Sequence, residues 1–179
     1  MTKYLGLVSF FILVAGLLFT VLRWKGGLHM TFSQHVARAR SSTIYYSVLF
    51  AVSLPLLYLF FANWFVPEFK LTGWFTVLVA ISVVAQFLCT LVPEVGGWKT
   101  TVHRLLTGVS VAMLLPIMYV LAGAPTIPSS GKYLAALCLA GMVGILGFAI
   151  FHKNHKFTLL LQAGYYLLFF LPVLYVAYF

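Results

Sequence analysis

Six stretches of this 179-residue chain carry no charged residue, and each is about as long as a lipid bilayer is thick: Tyr4–Leu22, Ser41–Pro67, Leu71–Pro93, Leu105–Gly131, Tyr133–Phe151 and Phe157–Phe179. A hydrocarbon core of ~30 Å is crossed by ~20 apolar residues wound as a helix. Lipid offers no partner to backbone N–H and C=O groups, so such runs must satisfy them internally, as helices do. Composition agrees: 63% of residues are hydrophobic and only 7% charged, with a mean hydropathy of +1.07. A soluble domain of this size needs far more charged surface. The predicted fold is therefore all-α: a single polytopic six-transmembrane-helix bundle over residues 1–179. The helices are expected at about 4–22, 44–64, 71–92, 102–122, 133–151 and 157–178. The first run reads as a retained span. It lacks a strongly basic start, and Leu22-Arg23-Trp24-Lys25 does not resemble a small-residue cleavage site.

The net charge of +9 is distributed unevenly. Arg23, Lys25, Arg38, Arg40, Lys99, Arg104, Lys153 and Lys156 lie on or beside the odd-numbered connections, against Lys3, Lys70 and Lys132 on the other side. The positive-inside rule then predicts cytoplasmic odd connections and both termini on the non-cytoplasmic side. No basic stripe alternates with exposed aromatics, so nucleic acid is excluded as a partner. Attraction to anionic headgroups is the generic consequence. Trp24, Trp64, Trp74 and Trp98 all fall beside connections, where indole favours the membrane interface. Cys89 and Cys138 sit within the third and fifth helices without a CxxC pairing, which reads as two reduced, buried thiols.

The even-numbered helices share Leu-Pro-x-x-Tyr, at Leu54–Tyr58, Leu115–Tyr119 and Leu171–Tyr175, which suggests three pseudo-repeated hairpins. A proline inside a helix lacks an N–H and frees the carbonyl four residues back. Transporters use such interruptions, but no carboxylate lies inside any predicted span to couple an ion. In helix five, Ala136, Ala140 and Gly144 form a small-residue row, expected to pack closely inside the bundle or at a dimer contact.

Polar residues concentrate on the predicted cytoplasmic side: all five histidines, Glu94, and the intramembrane Gln86, Thr90, Thr107 and Gln162. This asymmetry predicts a hydrated pocket opening to the cytoplasm, with Arg38, Arg40, Gln86, Glu94, His103, Arg104 and Gln162 as candidate ligand-binding residues. Arg38, Arg40, Arg104 and His103 would suit a phosphate or phospholipid headgroup, because guanidinium forks onto phosphate. His29, His35, His152 and His155 are candidate metal ligands by residue type alone. There is no HExxH and no carboxylate cluster, so no metal or other cofactor is expected. Ser33, Ser41 and Ser42 lie near His29 and His35 in an unpatterned polar loop, a weak basis for a nucleophile and base. Glu94 and His103, flanking one connection, are the candidate catalytic pair, or a hydrogen-bonded pair that pins that connection.

Leu91-Val92-Pro93-Glu94, followed by Val102-His103-Arg104-Leu105-Leu106-Thr107-Gly108 and an apolar helix, resembles the six-span membrane family catalogued as domain of unknown function 998. Phe32-Ser33-Gln34 and Ser41-Ser42 before helix two, and Gln162 early in helix six, are similar to its pattern. The family often has a second acidic residue nearby and an Arg after the Gln, where this chain has Ala163. The Frag/DRAM/Sfk group is a more distant likeness. The resemblance implies a six-span fold and marks Pro93, Glu94 and His103 as shared features; it implies no biochemical activity.

The function expected is a non-enzymatic membrane protein whose polar pocket binds or moves a small or lipidic ligand, or that serves as a membrane partner subunit. Its partners would be membrane lipids, a second copy of itself or another membrane protein. The alternative is a membrane-embedded enzyme acting on lipid through Glu94 and His103, with or without a metal.

Overall fold

The computed structural model describes residues 2–24, 26–151 and 156–179. It is an all-helical membrane bundle, with no strand among the described residues. Six segments are long and apolar enough to cross a bilayer: Thr2–Arg23, Arg40–Glu68, Gly73–Leu91, Gly97–Gly123, Ser129–Phe151 and Thr158–Tyr178. The first is a short 3-10 turn leading into α1 (Leu5–Arg23). A five-residue helix α2 (Phe32–Val36) precedes the second span. That span is α3 (Arg40–Phe60), a π-helical turn at Phe61–Phe65 and a last turn, α4 (Val66–Glu68). The remaining spans are α5 (Gly73–Leu91), α6 (Gly97–Gly123), α7 (Ser129–Phe151) and α8 (Thr158–Tyr178).

The second, fourth and fifth spans begin about four residues earlier than the sequence pattern suggests. Charge marks the edge of the hydrocarbon, not the end of the helix. Arg40, Lys99 and Arg104 lie within their helices with exposed side chains, because backbone hydrogen bonding continues through the headgroup layer. At α7 the start follows Pro128, whose carbonyl accepts from the Lys132 N–H at 3.0 Å. Gly96 and Gly97, at φ +99° and +59°, make the turn into α6 in the left-handed region that glycine enters without a Cβ clash.

Sequence-adjacent spans pack as antiparallel pairs, α1 with α3, α5 with α6 and α7 with α8. The α1–α3 seam is closely packed. Ser9 Oγ donates to Ser53 O at 2.8 Å, and Tyr45 OH to Gly16 O at 3.3 Å. A Cβ on Gly6 would stand 2.8 Å from the Phe60 ring, and one on Gly16 2.4 Å from Leu49. At the end of the bundle that holds both termini, Phe60, Phe61, Phe65 and Phe75 form a fully buried aromatic core. Lys3 lies over Trp64 and Tyr178 there, at 5.1 and 5.5 Å from the ring centroids. Tyr178 OH donates to Lys3 O and accepts from Leu7 N–H, joining the first span to the last.

Pro55, Pro116 and Pro172 all lie inside unbroken helices. Their surroundings differ: Pro55 is exposed, Pro116 half-buried and Pro172 buried, while Tyr119 is 73% exposed. The shared motif thus faces different environments in the three hairpins. The small-residue row of helix five does not pack inside the bundle, the first of its two expected placements; a dimer contact, the second, is untouched by this. Ala136, Ala140 and Gly144 face outward, and α7 instead packs through Gly131, Ala135, Cys138 and Met142. The helix is apolar all round, so the row alone did not identify its buried side.

Candidate functional site

Residues 26–36 fold back over the basic end of the bundle. The Thr31-Phe32-Ser33-Gln34 sequence starts α2 with a capping box: Thr31 Oγ1 accepts from Gln34 N–H at 3.1 Å, and Gln34 Oε1 accepts from Thr31 N–H at 3.0 Å. This segment, read from sequence as an unpatterned loop, is therefore ordered by a local signal. Two further bonds dock it onto the last span: Leu159 N–H donates to Leu28 O at 3.0 Å, and Phe32 N–H to Gln162 Oε1 at 3.1 Å.

Glu94 locks the segment in place. Its carboxylate accepts from Ser33 Oγ at 3.1 Å, Thr31 Oγ1 at 3.4 Å, Gln34 Nε2 at 3.2 Å and Arg104 Nε at 3.1 Å. The Glu94 side chain is only 7% exposed, whereas that of its ion-pair partner Arg104 is 69% exposed. A buried carboxylate needs this saturation of its lone pairs.

His103 belongs to a different network. Its Nδ1 lies 2.6 Å from Val92 O and 3.1 Å from Cys89 O, so the Nδ1–H donates to the backbone at the end of α5. The Cys89 thiol contacts Thr107 Oγ1 at 3.1 Å and is 3.4 Å from both ring nitrogens of His103. A sulfur equally distant from both nitrogens lies over the ring face, off the in-plane lone pair that a base would use. The expected Glu94–His103 hydrogen bond is thus replaced by two separate sets of contacts. Each residue pins its own side of the 92–96 turn.

The other candidates disperse. Arg38 and Arg40 are exposed, and His103, at 4% exposure, is sealed from any anion beside them. His29 is exposed, while His35 is fully buried. His35 Nδ1 donates to Thr31 O at 2.8 Å, and its Nε2 has no hydrogen-bond partner among the described residues. His152 and His155 lie outside the described residues. Among the described residues, no three His, Cys, Asp or Glu side chains are grouped to hold a metal.

A cavity of about 320 Å3 differs from the polar, end-opening pocket expected from sequence. It lies between α1 and α8, with α3, α5 and α6 behind it. Its rim residues Val14 and Leu18 on α1, and Leu160 and Leu167 on α8, are exposed, so it opens sideways toward the bilayer. Phe32 floors it at the basic end. Phe10 and Phe170, with ring centroids 5.2 Å apart, close it at the other. Apart from Ser82, Gln86, Ser110 and Tyr166, every lining residue is apolar, and none is charged. A smaller cavity of about 190 Å3 lies across α8, among Thr31, Thr107, Gln162 and Tyr165. The two candidate glutamines thus line different cavities: Gln86 the lateral one and Gln162 the smaller one. What sequence reading missed is the lateral cavity itself; its apolar lining has no signature distinct from ordinary core.

Compared with protein-family models, curated proteins and solved structures, the chain gives no match.

Proposed function

We propose that this membrane protein binds the apolar chain of a lipid-like ligand, admitted sideways from the bilayer between α1 and α8. The observation that carries this reading is the lateral cavity: apolar, open sideways between α1 and α8, floored by Phe32 and closed at the other end by Phe10 and Phe170. Its volume falls in the ~300–1,000 Å3 range of small-molecule sites. The polar residues singled out from sequence then act mainly as a seal. Glu94 and Gln162 hold residues 26–36 across the basic end, and Phe32 on that segment forms the cavity floor.

Membership of the six-span family of unknown function is part of the same reading. The Pro93-Glu94 turn and His103 that carry the resemblance stand where the seal is anchored. So is the orientation: the basic end faces the cytoplasm and both termini lie on the opposite side, as the charge bias favours.

The test is native mass spectrometry of detergent-purified protein, wild type against Ala163→Phe, which projects a ring into the cavity from α8. The expected result is a co-purifying lipid in the wild type that is lost from a folded variant. An empty wild-type protein that takes up no added lipid would overturn the reading.

A further inference from the structure

We infer that the ligand is a neutral lipid bearing a carbonyl next to its apolar chain, and that Gln86 donates a hydrogen bond to that carbonyl. This rests on the lateral-cavity reading and specifies its ligand. Gln86 lines the cavity and is 8% exposed. Tyr166 OH donates to its Oε1 at 3.3 Å, while its Nε2 makes no hydrogen bond to the described residues. The amide keeps two N–H donors in a wall that is otherwise apolar. If the amide is turned over, its nitrogen donates to Tyr166 and the tyrosine O–H becomes the spare donor, so the pair presents a donor in either orientation.

The neighbouring polar pair needs nothing further. Ser82 Oγ donates to Ser110 O at 3.0 Å, and the two hydroxyls lie 3.2 Å apart. Gln86 is therefore the cavity group whose hydrogen-bonding capacity is left over, and a donor facing hydrocarbon is costly unless met. Two features narrow the acceptor. With no Lys, Arg, His, Asp or Glu in the lining, a charged headgroup would have no counter-charge. Gln86 also lies five residues inside the end of α5, about 7.5 Å at 1.5 Å per residue, below the level of the headgroups. A neutral carbonyl attached directly to a long chain fits both. An ester of a neutral glyceride and the ring carbonyl of an isoprenoid quinone share this chemistry.

The experiment titrates purified protein with a diacylglycerol, an isoprenoid quinone, a chain-matched hydrocarbon without a carbonyl, and a phospholipid. The wild type, Gln86→Leu and Ala163→Phe are compared. A carbonyl lipid is expected to bind about tenfold more tightly than the hydrocarbon, the worth of one neutral hydrogen bond. Gln86→Leu should abolish that preference while keeping hydrocarbon binding, and whichever carbonyl lipid shows the effect identifies the source. As a check independent of the variant, a 13C-labelled carbonyl should show a lowered infrared stretch when bound to the wild type. Equal binding of carbonyl and hydrocarbon chains, an unshifted carbonyl band, or tighter binding of the phospholipid would overturn the inference while leaving the cavity reading in place. Absence of binding by every probe, with Ala163→Phe indistinguishable from wild type, would remove both.

Discussion

The main-chain N–H of Phe32 donates to Gln162 Oε1 at 3.1 Å, across 130 residues of sequence. The residue whose ring floors the lateral cavity is thereby tied to the span that forms one of its rims. Replacing Gln162 by Leu keeps the bulk and removes the acceptor, leaving a buried N–H unpaired at a cost of ~1–3 kcal/mol. Amide hydrogen exchange at Phe32 should accelerate in Gln162→Leu, with exchange in the middle of α5 unchanged.

The Glu94 cluster separates a buried anchor from an exposed one. Glu94→Ala strands the donors of Thr31, Ser33 and Gln34 and should destabilise the folded-back segment by ~2–3 kcal/mol, as for hydrogen bonds to a charged group. Arg104→Ala removes only a mostly exposed partner, worth ~0–1 kcal/mol. Limited proteolysis within residues 26–36 should be markedly faster in Glu94→Ala and near wild-type in Arg104→Ala. Equal susceptibility of the two would contradict this assignment.

Two glycines that look alike in sequence should respond oppositely to a methyl group. Gly6→Ala places a Cβ 2.8 Å from the Phe60 ring, which is fully buried and has no room to retreat. Thermal unfolding in detergent should show a loss of ~1–3 kcal/mol, the usual cost of overpacking. At Gly144 nothing lies within 4 Å of an added Cβ, so Gly144→Ala should be neutral or slightly stabilising through helix propensity.

Tyr178→Phe tests the closure at the end that holds the termini. The hydroxyl both donates to Lys3 O and accepts from Leu7 N–H, while the ring stays available to Lys3 and Tyr4. Loss of the hydroxyl should cost about 1 kcal/mol and speed hydrogen exchange at Leu7. The Phe10–Phe170 contact deeper in the bundle should persist, as read from unchanged exchange in the centre of α8.

The number of spans and their approximate limits were legible because charge-free length is a local property that lipid imposes on any chain. The helix starts were less so, because Arg40 and Lys99 ride on helical turns that extend past the hydrocarbon. Glu94 and Gln162 were recognisable as unusual polar residues, but their partners were not. Glu94 meets Ser33 across 61 residues, a pairing that no spacing announces. The Thr31–Gln34 capping box was readable in principle, since a Thr followed three places later by Gln is a helix-start signal.

Sequence alone determined that this chain is a six-helix membrane bundle with a polar, basic end, because hydropathy and charge act residue by residue along the chain. Only the tertiary structure decided which polar residues close on one another and where space remains. Glu94 and His103 part company because the turn between α5 and α6 offers each nearer partners, Arg104 and the α2 segment for one, backbone carbonyls and Cys89 for the other. The lateral cavity exists because α1 and α8, at opposite ends of the chain, meet near the termini and stay apart toward the basic end, where the 26–36 segment is bonded to α8 instead, a relation that depends on packing between distant residues.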